Sequence, residues 1–115
     1  MDTVILEGMN PDSNIYGEEF FGPVFNLFKV KNSKDAMDLA NKSDYGLNST
    51  VFTDDLKKAK NCAHRLRTGN VFINECPFTG SDFPTGGIKG SGYGRECFSD
   101  GIHDTANRKT IIYKK

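Results

Sequence analysis

Side chains able to do covalent chemistry are few in this chain, and their spacing limits what they can be. The thiols are Cys62, Cys76 and Cys97, and the imidazoles are His64 and His103. No two cysteines form a Cys-x-x-Cys pair, and neither histidine has metal-ligand spacing to a cysteine, so no metal site is expected. Cys62 and His64 flank the apolar stripe of a predicted helix with no partner spaced to meet them. They read as core or surface rather than as a nucleophile with its base. An odd number of unpaired thiols fits a reducing compartment, cytoplasm or mitochondrial matrix. The densest polar and glycine-rich run lies elsewhere, from Phe83 to Glu96, where five of fourteen residues are glycine. Each glycine inside a regular element costs roughly 0.5–1 kcal/mol against alanine, so this run predicts a tightly folded loop that closes on something. Lys89, Ser91, Tyr93, Arg95 and Glu96 offer polar groups to the loop's own backbone. A well-packed connection and a ligand-facing loop both fit that composition.

The elements around the loop follow from periodicity and caps. Thr3 to Leu6 is a candidate strand, followed by turn chemistry at Asn10–Asn14. Pro23 starts an extended segment, and Val24–Val30 reads as a strand with apolar residues on both faces, buried on both. Ser33 is the expected N-cap of a helix whose stripe is Ala36, Leu39 and Ala40. Asp44–Gly46 reads as a turn and Leu47–Phe52 as a second strand. Thr53 is the expected cap of a helix over 54–67, with Leu56, Ala59, Ala63 and Leu66 inward and Gly69 as its stop. Asn70–Asn74 is a third strand. Strand, helix, strand, helix, strand predicts an α/β unit with a mostly parallel sheet and flanking helices. The loop from Glu75 to Gly94 then leaves the carboxyl end of a parallel strand, where α/β proteins place ligands. Short helical turns are expected at 95–99 and 101–107. Lys109–Tyr113 reads as a C-terminal edge strand seeking a partner.

Composition excludes several functions. The 115 residues carry fifteen basic and fifteen acidic side chains, so no positive excess favours nucleic acid. No apolar run approaches the roughly 20 residues of a membrane-spanning helix, and no membrane partner is expected. The opening Met-Asp-Thr-Val-Ile-Leu-Glu-Gly lacks the basic and long apolar regions of a signal peptide, so none is expected. One domain, residues 1–115, is the prior.

Four pieces stand in order: Glu18-Glu19-Phe20-Phe21-Gly22-Pro23; Ala40-Asn41 with Asp44-Tyr45-Gly46-Leu47; Gly69 to Asn74; and Pro84 to Glu96. Together they resemble the C-terminal part of the NAD(P)-dependent aldehyde dehydrogenase superfamily, over about Pro11 to Tyr113. Ile73-Asn74-Glu75 and the segment from Gly101 to Thr110 look most like the succinate-semialdehyde branch. The resemblance implies a fragment of the family's catalytic domain, with NAD or NADP as cofactor and an aldehyde as substrate. By the resemblance, Glu19 matches the glutamate that holds the nicotinamide-side ribose, and a carboxylate can accept from both hydroxyls of a diol. Phe21 matches the aromatic residue that packs on the nicotinamide end. Without the family, Glu19 would read as a surface charge and Phe21 as core. Thr79 and Thr85 fall on the family's substrate-channel wall. Thr85 stands where many members carry Phe, a change that either suits a polar or carboxylated aldehyde or only adjusts packing.

The resemblance also implies what is missing. The family's catalytic cysteine, general-base glutamate and oxyanion-hole asparagine lie upstream of this segment, so no catalytic residue is expected here and Cys76 is at most a pocket-lining thiol. The chain alone is expected to be inactive. Residues 109–115 match the family segment that joins a sheet across subunits, so a homo-oligomer or the missing N-terminal part is the expected partner. The alternative is a non-catalytic interaction or oligomerisation module derived from the same fold.

Overall fold

Parallel pairing organises most of the strands, in small separate ladders. The structure, a computed structural model, describes residues 2–115. The strand β1, Val4–Glu7, pairs in parallel with β2, Val24–Leu27, in the register Val4 to Val24. A 3-10 turn at Asn14–Gly17 lies between them. Helix α1, Ser33–Asn41, follows. Next come β3, Tyr45–Gly46, and β4, Asn48–Val51. Helix α2 is Leu56–Arg65 and β5 is Asn70–Ile73, parallel to β4 in the register Asn48 to Asn70. The two-residue strand β6, Ile88–Lys89, runs antiparallel to β3. Helix α3 spans Phe98–Thr105. The chain is thus α/β with parallel strand pairs and three helices, although each ladder has only two strands.

Caps decide the helix starts. Asn32, one residue before the predicted cap, accepts from the Asp35 N–H at 2.9 Å. For α2 the cap is Asp55, which accepts from the Lys58 N–H at 3.0 Å. The Thr53 hydroxyl instead accepts from the Asp55 N–H at 3.2 Å, in the turn ahead of the helix, while the Asn74 side chain holds the Thr53 backbone at 2.8 and 2.9 Å. The buried apolar centre is small: Met37 of α1 meets Ala59 and Cys62 of α2 in burial.

Several expectations change. β2 stops at Leu27 and is covered on one face only; Phe25 is 59% and Leu27 48% exposed, because no layer lies over them. Tyr45–Gly46 is a strand rather than a turn, since Ile88–Lys89 returns beside it. The two turns expected after Arg95 are one helix. The C-terminal edge strand expected at Lys109–Tyr113 has no regular structure, as no strand edge lies beside it among the described residues. No helix among the described residues is long and apolar enough to cross a membrane.

Candidate functional site

The glycine-rich loop does close on something, and the closure builds two hollows. Its own arginine gathers it: Arg95 Nη1 donates to the carbonyls of Gly87 at 2.8 Å, Gly94 at 2.9 Å and Tyr93 at 3.2 Å. Thr85 and Glu96 exchange backbone hydrogen bonds of 2.9 and 2.7 Å across the loop's base. Asn70 of β5 grips the loop from below, donating to the Pro84 carbonyl at 3.0 Å and accepting from the Gly86 N–H at 3.3 Å. The backbones come so near that a Cβ on Gly69 would overlap the Gly86 carbonyl oxygen. Lys89 does not serve its own loop. Its Nζ donates to the carbonyls of Ser43 at 2.8 Å and Asn41 at 3.1 Å, at the end of α1. The Gly46 N–H donates to Ser91 Oγ at 3.0 Å.

One hollow, of about 390 Å³, has Glu19 on its wall with Ser43, Asn48, Ser49 and Thr68 as further polar lining. Glu19 is exposed and forms no ion pair among the described residues. Its carboxylate is therefore free to accept. The second hollow, of about 530 Å³, is lined by Thr79, Thr85, Gly86, Gly87, Arg95 and Asp104. Thr79 reaches its rim because Phe78 stacks against Phe72 and Phe83, with centroids 5.5 and 5.3 Å away. That cluster pins the loop after β5. The Thr85 hydroxyl oxygen is buried and has no hydrogen-bond partner. Leu47 and Ser91 line both hollows.

Of the residues singled out from the sequence, Thr79 and Thr85 thus share a hollow, and Glu19 lines its neighbour. Phe21 does not line the Glu19 hollow and is 96% exposed. None of the cysteines lines either hollow: Cys62 is buried on the inner face of α2, Cys76 is exposed and Cys97 half-buried. No cluster of metal-ligating side chains exists among the described residues. Asn70 and Lys89, which fix the loop, were legible only as a strand residue and a loop polar group. Their partners are distant in sequence.

The chain resembles known proteins along nearly its whole length. The model of the aldehyde dehydrogenase family matches residues 1–111. A succinate-semialdehyde dehydrogenase [NADP(+)] of Deinococcus radiodurans is 43% identical over 107 residues, covering 93% of this chain and 22% of that protein. A succinate semialdehyde dehydrogenase [NAD(P)+] of Escherichia coli is 38% identical, covering 93% of this chain and 23% of that protein. The crystal structure of succinic semialdehyde dehydrogenase from Streptococcus pyogenes with NADP+ superposes with a TM-score of 0.88 at 39% identity, over 96% of this chain and 24% of that one. The chain spans between a fifth and a quarter of the length of these relatives.

Proposed function

The chain belongs to the aldehyde dehydrogenase family, and on that premise we propose that it forms a cofactor seat and a substrate wall of an NAD(P)-dependent oxidoreductase that converts an aldehyde to a carboxylic acid. Glu19 accepts hydrogen bonds from the hydroxyls of the nicotinamide-side ribose. The polar lining around it suits a sugar: Ser43, Ser49 and Thr68 carry hydroxyls and Asn48 an amide. Phe21, exposed on the same arm, supplies the flat face for the nicotinamide end when the cofactor is bound. The cofactor itself brings the hydride acceptor. One observation carries the reading: the Glu19 hollow and the Thr79–Thr85 hollow have Leu47 and Ser91 in common. A hydride acceptor and an aldehyde must lie side by side to react.

The substrate class follows from the second hollow. Thr79 and Thr85 line it, and the Thr85 hydroxyl is buried without a partner. An aldehyde with a polar or carboxylated tail suits this polar lining better than an alkyl aldehyde does. The relatives named above are semialdehyde dehydrogenases. Acyl transfer to a thiol needs a nucleophile and oxyanion donors in the same cavity. Cys62, Cys76 and Cys97 are outside both hollows, so the nucleophile and base come from polypeptide beyond these 115 residues.

The test is a chimera in which this chain replaces the matching part of the Deinococcus radiodurans enzyme. The expected chimera oxidises succinate semialdehyde with NADP⁺. Glu19→Gln raises the cofactor KM about tenfold or more, the worth of a charge-assisted hydrogen bond, with the aldehyde KM unchanged. An unaltered cofactor KM would remove Glu19 from the seat. The chain by itself shows no turnover with NAD⁺ and short aldehydes; turnover abolished by Cys76→Ala overturns this division of labour.

A second role rests on a separate observation. Ile111, Ile112 and Tyr113 stand exposed on a segment without regular structure or strand pairing. Residues 109–115 form a strand-donating segment that pairs with a second copy or with the rest of an enzyme subunit.

A further inference from the structure

Glu19 stands on an arm with little to hold it. Glu18 to Gly22 are all exposed. Their backbone bonds are local, from the Glu18 N–H to the Ile15 carbonyl at 3.2 Å and from the Gly22 N–H to the Phe20 carbonyl at 2.7 Å. None of these ties the arm to the wall it faces. The far end is anchored where the Val4 N–H donates to the Pro23 carbonyl at 2.8 Å. The near end is anchored by Tyr16, with only the exposed Asp12–Lys42 ion pair, at 3.1 Å, tying the chain to the end of α1 further back among the described residues. The Tyr16 O–H donates to the Leu39 carbonyl at 2.5 Å, next to Ala40, which lines the Glu19 hollow. Its ring meets Phe28 edge-on, with centroids 5.5 Å apart and planes at 67°.

We propose that Tyr16 is a positioning residue for Glu19: the bond to Leu39 and the contact with Phe28 set the arm's distance from α1 and so keep the carboxylate on the hollow's wall. This rests on the reading of that hollow as the ribose seat. A single hydrogen bond suffices because the arm has so few others, and losing it lets Glu18–Gly22 drift into solvent. Burial keeps the phenol protonated beyond the ordinary tyrosine value, partly offset by the nearby Lys42 ammonium, so the donor is intact throughout the neutral range. No other titratable side chain is part of the contact: Leu39 accepts through its backbone, and Phe28 is apolar.

The test titrates the ¹⁵N-labelled chain with nicotinamide mononucleotide, followed by amide shifts at Leu47, Asn48 and Ser49. Succinate, read at Thr79 and Thr85, is the control for the other hollow. Tyr16→Phe keeps the ring and removes the donor. It is expected to weaken mononucleotide binding about fivefold, the usual worth of one neutral hydrogen bond, while leaving succinate binding unchanged. A second variant, Tyr16→Leu, keeps apolar bulk against Phe28 and is expected to show the same selective loss. Parallel weakening of both probes marks a merely structural role and overturns the inference. If Tyr16→Phe binds the mononucleotide as the parent does while Glu19→Gln loses it, Tyr16 is not the positioning residue and the ribose seat stands. If Glu19→Gln binds fully, or the parent chain shows no response, the seat fails and the inference with it.

Discussion

Thr85 retains a buried hydroxyl that nothing in the chain satisfies. Leaving such a group unpaired costs about 1–3 kcal/mol, so a purely structural site gains from its removal. Thr85→Val keeps the β-branched shape and the backbone pairing with Glu96. It is expected to leave the thermal midpoint of the chain unchanged or raise it. In the chimera it is expected to raise the KM for succinate semialdehyde several-fold and leave that for a short alkyl aldehyde alone. Thr50→Val is the control: its hydroxyl is also buried and unpaired, but it faces a different hollow, between α1, α2 and β4. It should match Thr85→Val in stability and not in substrate preference. Tyr16 adds a pH dependence. Because burial raises its folded pKa, its contribution to stability is complete below the ordinary tyrosine value and is lost as pH rises through the raised one. Tyr16→Phe is therefore expected to flatten the alkaline limb of a midpoint-against-pH profile. At this scale the sequence was informative where chemistry depends on residue type. Glu19, Thr79 and Thr85, singled out by residue type and motif, each line a hollow. Tyr16 was illegible because its partner is a backbone carbonyl 23 residues away, and any residue type can supply one.

At the scale of elements, the start of α3 concentrates strain. Cys97 has φ 63° and ψ 172°, and Phe98 has φ 49°. Positive φ at two consecutive side-chain-bearing residues costs about 1–3 kcal/mol apiece. The turn is imposed from both sides. The Arg95 N–H is fixed by Asp104 Oδ2, and Gly101 sits against the Glu96 backbone, where a Cβ would lie 3.2 Å from the Glu96 carbonyl carbon. Cys97→Gly relieves the φ penalty at a smaller cost in unfolded-chain entropy. It is expected to stabilise the chain by about 1 kcal/mol, read as a rise in the urea midpoint with unchanged slope. The same contrast between local and distant causes explains which elements could be read. Helix α1 was found to within one residue because Asn32 and Ser33 both have capping side chains, and the choice between them lies in the first turn. The start of α2 was misplaced because the Thr53 hydroxyl serves the Asp55 N–H in a turn before the helix, and Asp55, not Thr53, caps the first turn. β3 was taken for a turn because Tyr45–Gly46 are turn residues until Ile88–Lys89 arrives.

The whole molecule is too open for its mass. Its radius of gyration is 18.3 Å, against about 13 Å for a compact chain of this length. Its accessible surface is 9243 Å², against about 6,300 Å² for a compact monomer of 12.8 kDa. Much of the excess is apolar, and two strand-forming parts of it are the uncovered face of β2 at Phe25 and Leu27 and the tail at Ile111–Tyr113. The apolar residues on both sides of β2 predict burial on both faces, and only one is covered; what covers the outer one is not written in the strand itself. An open shape with exposed strand-forming segments associates unless its partner surface is supplied. The isolated chain is therefore expected to show a mass that rises with concentration by light scattering. Ile112→Glu tests the tail without touching the centre, since Ile112 is 89% exposed and far in sequence from Met37, Ala59 and Cys62. Charge on one residue of an intermolecular strand opposes both the ladder and its apolar contacts, so the concentration dependence should weaken while the thermal midpoint at the lowest concentration stays put. In the chimera the same substitution should instead lower subunit assembly, as the strand-donating role proposed for residues 109–115 requires. A chain that remains monomeric at high concentration, unaffected by Ile112→Glu, would show that the tail is not an interface.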